Sequence, residues 1–181
     1  MTSLDEAPDA LLAQRSADGD AVAFAALVRR HAPYLLAVAT RLTGSRADAD
    51  DAVQDALIAA WAQLDTLQDP EKVRSWLTAI VSRKSTDRIR SRRPSSELDD
   101  ERAEPGERGP EQRAIATSQL DALAGILSSL PEGQRQCWVL KEVSGYSYDE
   151  IATELGTTVP IVRGKLARAR ATVFSEMEAW R

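Results

Sequence analysis

The sequence predicts an all-helical chain made of two small domains and a flexible acidic linker. Apolar residues recur at intervals of three and four positions along most of the 181 residues, and no alternating pattern predicts a strand. Residues 94–113 lack this period and are rich in proline, glycine and charged side chains, as linkers are. We therefore place an N-terminal domain at 1–93, the linker at 94–113 and a C-terminal domain at 114–181.

Two amphipathic helices are predicted near the start of the N-terminal domain. Asp20 is a suitable N-cap for the first, whose apolar face carries Phe24 and Leu27. Pro33 predicts that a new helix starts there, because proline is best tolerated in a first helical turn. Gly44 predicts the end of this second helix, since glycine readily adopts the left-handed conformation of a C-terminal cap.

The next helix has the clearest pattern. Val53, Leu57 and Leu64 follow the three-four spacing of one buried stripe, which either Ala60 or Trp61 completes. A further helix runs from about residue 72 to residue 92 and contains Trp76. We expect both tryptophans to lie in the core, because large aromatic side chains are mostly buried.

Charge is segregated along the chain, although the net charge is -5. Residues 1–71 hold five basic and twelve acidic side chains, whereas residues 72–93 hold eight basic and one acidic. Such a basic block supplies phosphate contacts whatever the total charge, because fields are screened within about 8 Å at physiological salt. A solvated helical face is the ordinary alternative for a run of charges.

The C-terminal domain carries the pattern of a helix-turn-helix. Ser147 and Glu150 have the spacing of a capping box, which predicts a helix over 148–155, and Gly156 suits the turn that follows. Thr158 is a suitable N-cap for the second helix. That helix carries four basic side chains with no acid among them, as a helix in the DNA major groove needs: Arg163, Lys165, Arg168 and Arg170. A purely structural helix hairpin fits the same spacing.

Several classes of protein are disfavoured. No apolar stretch approaches the ~20 residues of a membrane span, and the acidic N-terminus does not resemble a secretory signal, so we expect a cytoplasmic protein without membrane insertion. Cys137, the only cysteine, is expected to be a small buried hydrophobe, and His31, the only histidine, to be structural. No motif predicts an enzyme, a cofactor, a metal site or a small-molecule substrate.

Three segments resemble the extracytoplasmic-function group of the sigma-70 family of transcription initiation factors. Residues 47–64, ADADDAVQDALIAAWAQL, are similar to the polymerase-binding helix of that family. Residues 74–93, RSWLTAIVSRKSTDRIRSRR, are similar to its minus-ten recognition and melting helix. Residues 130–173, which include the helix-turn-helix, are similar to its minus-thirty-five-binding domain. The three occur in family order, so the set is more specific than any single helix.

The resemblance implies that the chain binds the beta and beta-prime subunits of core RNA polymerase, directs the enzyme to promoter DNA and helps to open the duplex. In the family, the polymerase-binding helix docks on the clamp coiled coil of the largest subunit. The side chains that correspond to this docking surface are Asp48, Asp50, Asp51, Gln54 and Asp55.

For the minus-ten element, the resemblance implies that the loop over 65–71 and the following basic helix hold a flipped base of the non-template strand. The corresponding residues are Trp76, which is usually structural in the family, Arg83, Lys84, Arg88, Arg90, Arg92 and Arg93. Arg83 and Lys84 stand where many relatives have asparagine and a small or apolar residue. The family's preference for a particular base is therefore not transferred.

For the minus-thirty-five element, the resemblance implies contacts from the second helix of the helix-turn-helix. The corresponding residues are Thr158, Pro160, Ile161, Arg163, Gly164, Lys165, Arg168 and Arg170. Pro160 and Ile161 replace the common Gly-Thr of the family at the end where bases are usually read, so the generic consensus is not transferred either. The resemblance also implies that the acidic linker, with carboxylates over 97–104, follows the RNA path of the polymerase.

Two further possibilities remain open from the sequence. An autonomous helix-turn-helix regulator would bind DNA without polymerase, usually as a dimer on a palindromic site. A sigma factor, in contrast, is often held inactive by an anti-sigma protein, and this chain is a candidate for such a partner.

Overall fold

The computed structural model describes residues 4–92 and 119–180, and over these ranges it is helical and contains no strand. The two ranges belong to two separate compact units, one N-terminal and one C-terminal. The predicted all-helical fold is thus confirmed for the described residues. The predicted linker at 94–113 lies outside them.

The N-terminal unit is a bundle in which three long helices pack against one another and a shorter one packs on their side. The shorter helix is held in place by Asp9, whose Oδ2 atom lies 2.8 Å from Nε2 of the buried His31. The predicted structural role of this histidine is confirmed by that contact. The helices are α1 (Asp9–Ala17), α2 (Ala21–Thr43), α3 (Arg46–Ala62) and α4 (Val73–Arg92), with short 3-10 turns at Leu4–Glu6, Leu64–Thr66 and Pro70–Lys72.

The caps of α2 agree with the prediction. Oδ1 of Asp20 accepts hydrogen bonds from the amides of Val22 and Ala23, at 2.9 and 3.1 Å. Gly44 ends the helix with a φ of 69°, a left-handed conformation that side chains with a Cβ adopt at a cost. Ser45 then caps α3 at once, so α2 and α3 are joined by a very short turn.

The predicted helix start at Pro33 is wrong, because α2 is continuous and contains Pro33 in its interior. An interior proline costs a helix about 3 kcal/mol. Pro33 is exposed, while Leu27, Leu35 and Leu42 on the other side of α2 are fully buried. Full burial of each such side chain contributes roughly 1.5–3 kcal/mol, so packing along the whole of α2 outweighs the local penalty. By length and composition α2 is also the one described helix that could cross a membrane, a test that core helices pass as well.

The placement of the two tryptophans differs. Trp76 is half-buried against the core, whereas Trp61 keeps 40% of its surface exposed and contacts Phe24, with ring centroids 5.1 Å apart. The prediction of a core position is therefore wrong for Trp61. Small side chains form the buried stripe of α3, and Ala60 completes it, which turns the adjacent Trp61 towards the edge of the bundle.

The described part of the C-terminal unit, residues 119–180, contains four α-helices. Its core includes Leu127, Leu140, Ile151 and Leu166, together with Cys137, whose predicted burial is confirmed. Burial raises the pKa of the Cys137 thiol to about 11. The helices are α5 (Gln119–Ser129), α6 (Glu132–Trp138), α7 (Tyr148–Leu155) and α8 (Val159–Trp180), and one π-helical turn at Val139–Val143 extends α6.

The predicted helix-turn-helix is present as α7, a short turn and α8. The Ser147 amide donates to Oε2 of Glu150 at 2.7 Å, and the Glu150 amide donates to Oγ of Ser147 at 3.2 Å, which completes the capping box. These bonds, the one to the Ser147 backbone first, hold the pKa of Glu150 below its usual value. Gly156 has a φ of 62° and begins the turn, and the Val162 amide donates to the carbonyl of Thr158 at the start of α8.

Candidate functional site

The predicted polymerase-binding residues lie together on the outer side of α3. We call this set, Asp48, Asp50, Asp51, Gln54 and Asp55, the α3 acidic face. Asp48 is half-buried and the other four side chains are exposed. The opposite side of α3 is formed by Ala49, Ala52, Val53 and Ala56, which are buried against the bundle. The face is therefore held on a helix that has no freedom to rotate without exposing its core side.

The structure brings the α3 acidic face into contact with arginines of α4. Nη1 of Arg88 lies 2.9 Å from Oδ2 of Asp51, and Nη2 of Arg88 lies 3.1 Å from Oδ2 of Asp55. Arg92, one helical turn further along, forms an ion pair with Asp48. Side chains that the sequence assigns to two different ligands thus neutralise one another in the free chain.

Sequence reasoning missed these pairs, although a signal existed. Asp51 and Asp55 are spaced by one helical turn, as are Arg88 and Arg92, so two helices packed side by side can match them. The partly exposed pairs contribute little stability, about 0–1 kcal/mol each. Their main effect is to make the charge of Arg88 less available to other molecules, because only 33% of its side chain is exposed.

An apolar extension of the α3 acidic face was also missed. Ile58 lies one turn after Gln54 and has 65% of its surface exposed. Trp61 follows one turn later and completes an exposed line of acidic and then apolar side chains along α3. Exposed large apolar residues next to charges are typical of protein interfaces, in which aromatic side chains often dominate the affinity.

The predicted minus-ten residues are distributed unevenly along α4. Arg83 is exposed and Lys84 half-buried, and within the described ranges neither forms an ion pair. Arg90 pairs with Asp87, while Arg88 and Arg92 are paired with α3. Trp76 packs on the core, and Arg93 lies outside the described residues. In the free chain, Arg83 and Lys84 are therefore the most available cations among the described members of this set.

The preceding loop over 65–71 is built from two 3-10 turns. Oδ1 of Asp69 accepts a hydrogen bond from the Glu71 amide at 3.1 Å, which caps the second turn just before α4 begins.

The helix α8 presents its basic side chains on more than one side. Val162, Leu166 and Ala169 form its buried stripe. The predicted residues Thr158, Pro160, Ile161, Arg163, Arg168 and Arg170 are exposed, whereas Gly164 and Lys165 are half-buried. Lys165 lies against α6, because a Cβ built on Gly133 would stand 2.7 Å from its Nζ atom. The geometry therefore favours Arg163 over Lys165 as a DNA-reading side chain.

Residues of the preceding elements contact the basic side chains of α8. The guanidinium carbon of Arg163 lies 5.4 Å from the ring centroid of Tyr148. Arg170 donates from Nε and Nη2 to Oε1 of Glu142, at 2.9 and 2.6 Å, and these bonds raise the pKa of Arg170. Sequence reasoning identified neither Tyr148 nor Glu142.

Family models match both units. Residues 27–94 match the model of sigma-70 region 2, and residues 120–173 match that of sigma-70 region 4. The chain is 35% identical to RNA polymerase sigma factor CnrH of Cupriavidus metallidurans, over 96% of each sequence. It is 29% identical to the ECF RNA polymerase sigma-E factor of Escherichia coli, again over 96% of each.

The fold is similar to that of a sigma factor of known structure. In the structure of CnrH in complex with the cytosolic domain of CnrY, the match covers 96% of this chain and 99% of that chain, with 33% identity and a TM-score of 0.54. Both comparisons span nearly the whole length of this chain. The chain therefore belongs to the sigma-70 family of RNA polymerase sigma factors, in its extracytoplasmic-function group, and acts in the initiation of transcription.

Proposed function

We propose that this sigma factor binds core RNA polymerase through the α3 acidic face and its apolar extension, and contacts the two promoter elements through α4 and α8. The observation that carries the proposal is the exposed line along α3, in which carboxylates are followed by Ile58 and Trp61. Such a line complements a helix that is basic at one end and apolar at the other.

In this proposal the two parts of the line have different roles. The carboxylates steer association and set the register on a basic partner, the clamp coiled coil of the largest polymerase subunit. Ile58 and Trp61 supply most of the affinity, because they lose exposed apolar surface on binding. The carboxylates of Asp51 and Asp55 can accept a second donor while Arg88 stays in place, since each carboxylate has about four acceptor sites.

At the minus-ten element, we assign the first contacts with the melted strand to Arg83 and Lys84. The capped loop over 65–71 lies at the start of the same helix and would receive the flipped base. Arg88, Arg90 and Arg92 join once DNA phosphates compete with their carboxylate partners. Arg93 continues the same basic series in the sequence.

At the minus-thirty-five element, we assign base reading to the first two turns of α8 and phosphate binding to Arg168 and Arg170. Helix-turn-helix proteins place the N-terminal part of the second helix against base edges. Pro160, Ile161 and Arg163 are exposed there, and Ile161 can contact a thymine methyl group.

The same charge reversal on two sides of α8 tests this assignment. Arg163→Glu should abolish upstream recognition, whereas Lys165→Glu should retain most of it.

Three further expectations remain parts of the proposal. They are the domain limits at 1–93, 94–113 and 114–181, a cytoplasmic location, and the passage of the acidic linker along the RNA path. An anti-sigma partner is a fourth expectation. In a solved complex, the similar protein CnrH binds the cytosolic domain of CnrY. A partner of this kind would have to cover the α3 line or the basic surfaces of α4 and α8 to keep the factor inactive.

Reconstituted transcription tests the proposal directly. Core polymerase is incubated with fragmented host DNA, with and without the protein, and transcript starts are mapped. We expect starts that depend on the protein and share two upstream sequence elements. A protein that does not associate with core would count against the α3 assignment, and starts without shared upstream elements would count against the assignments of α4 and α8.

A further inference from the structure

Three basic side chains lie near Tyr148, the first residue of α7, and two of them contact its ring. Nζ of Lys141 lies 5.0 Å from the ring centroid and the guanidinium carbon of Arg163 lies 5.4 Å from it. Arg170, two helical turns after Arg163 on the same side of α8, has Tyr148 among the groups that raise its pKa, after Glu142. Tyr148 thus links the start of α7 to the exposed side of the helix that faces DNA in the proposed function.

The three cations differ in how their polar groups are used. Nζ of Lys141 donates to the carbonyl of Tyr146 at 2.9 Å, and Arg170 donates twice to Glu142. Arg163 forms no hydrogen bond or ion pair with any residue that the structure describes. Its guanidinium is therefore positioned by the ring while its N–H groups are available to another molecule.

Contact with an aromatic ring suits the recognition of a base edge. A guanidinium that lies with its flat face on a ring leaves the donors at its edge pointing away. Those donors match the O6 and N7 acceptors of guanine in the major groove, the commonest specific contact made by arginine. Holding the side chain in one orientation before binding also reduces the entropy that binding costs.

We propose that Tyr148 is a positioning residue for minus-thirty-five recognition, which orients Arg163 to read one guanine of that element. The proposal rests on the assignment of α8 as the recognition helix. It goes beyond that assignment, because it predicts that recognition also depends on Tyr148, a side chain of α7 and not of the recognition helix.

A double-mutant cycle in the polymerase holoenzyme tests the proposal. Affinity is measured for promoter fragments that differ by single base pairs in the upstream element, for the wild type, Tyr148→Leu, Arg163→Ala and the double variant. We expect the wild type to prefer guanine at one position by about 10-fold or more. Tyr148→Leu should reduce this preference about 3-fold or more and leave the base preferences at the other positions unchanged. When Arg163→Ala is already present, Tyr148→Leu should not change selectivity further.

Two conservative variants guard against a general loss of structure. Tyr148→Phe keeps the ring and should keep the preference for guanine. Arg163→Lys keeps the charge but lacks the planar group, and it should reduce the preference while retaining the salt dependence of binding. The proposal is overturned if Tyr148→Leu weakens binding equally at all positions. It is also overturned if Tyr148→Leu lowers selectivity as much in the Arg163→Ala background as in the wild type. If the wild type itself shows no upstream preference, the assignment of α8 fails instead.

Discussion

The Nη1 atom of Arg88 lies 2.9 Å from Oδ2 of Asp51, so a cation assigned to promoter DNA is paired with a carboxylate assigned to polymerase. The neighbouring pair of Arg88 with Asp55 has the same character. We therefore expect each of the two proposed ligands to share or displace the charge that the other would use. Polymerase binding and DNA binding by the N-terminal unit should for this reason be electrostatically linked.

The link predicts opposite effects of neutralising the two carboxylates. In Asp51→Asn/Asp55→Asn, affinity for core polymerase should fall, because two steering charges are lost. Affinity of the free protein for single-stranded minus-ten DNA should rise, with a salt slope larger by about one ion, because Arg88 becomes available to a phosphate. Titrations with fluorescent DNA at several salt concentrations measure this.

The exposed Glu6 and Asp18, before and after α1, provide the matched control. Glu6→Gln/Asp18→Asn removes two negative charges from the same unit, as the test variant does, with no arginine of α4 released. Equal DNA affinities for the control and Asp51→Asn/Asp55→Asn would mean that the pairs with Arg88 do not limit DNA binding.

The apolar extension of α3 predicts a polymerase-binding defect without a folding defect. Ile58→Ala removes a side chain that is 65% exposed, so the free energy of unfolding should change by less than about 0.5 kcal/mol. Affinity for core should fall about 10-fold, the effect expected of an anchor in an interface. Val22→Ala, which shortens a side chain that is 62% exposed elsewhere in the unit, should leave the affinity unchanged. Similar losses for both variants would indicate nonspecific hydrophobic contact.

The helix-turn-helix could be predicted almost residue by residue, because its signals are local. The capping box of Ser147 and Glu150 and the left-handed Gly156 depend on a few consecutive residues, and packing does not override them. Pro33 is the opposite case. Its local signal for a helix start is real, but burial along the whole of α2 outweighs it.

The contacts of the candidate site depend on packing in a way that a sequence does not express. Arg88 meets Asp51 only because α3 and α4 pack with particular rotations about their axes. Tyr148 meets Arg163 because the turn at Gly156 sets the angle between α7 and α8. The residue types along each helix predicted its charged and apolar faces. They did not predict which face of one helix would contact which face of another.

Gly164 predicts a separation of stability from DNA binding. A Cβ at this position would meet only the Arg168 guanidinium, at 3.8 Å, which is ordinary contact. Gly164→Ala should therefore raise the free energy of unfolding of the C-terminal unit by up to about 1 kcal/mol, the difference in helix propensity. It should weaken upstream promoter binding, because the added methyl group stands on the side of α8 assigned to DNA.

Gly125 in α5 is the control for this substitution, since a Cβ there would meet nothing within 4 Å. Gly125→Ala should stabilise the unit to a similar degree and leave promoter affinity unchanged. Thermal unfolding and promoter titration of both variants decide the matter. If Gly164→Ala binds as tightly as the wild type, the helix backbone does not approach DNA closely at this point.

The capping box predicts how the stability of the C-terminal unit depends on pH. The hydrogen bonds of Glu150, the one to the Ser147 backbone first, hold its pKa below the usual 4.5. Because the folded protein binds this proton less readily than the unfolded chain, protonation favours unfolding. The contribution is fully present above pH 4.5 and is lost as the pH falls through the lowered pKa of the folded state. Screening keeps it small, since Glu150 is exposed.

Urea unfolding of the full chain measures this dependence, with the indole NMR signal of Trp138 in α6 reporting the C-terminal unit. Between pH 6 and pH 3, roughly the range in which carboxylates titrate, the wild type should lose more stability than Glu150→Gln, which has no proton to take up. Ser147→Ala should cost about 1 kcal/mol at neutral pH, because the Glu150 amide loses its side-chain acceptor. If Glu150→Gln follows the pH profile of the wild type, the cap does not titrate and the loss at low pH arises from other carboxylates.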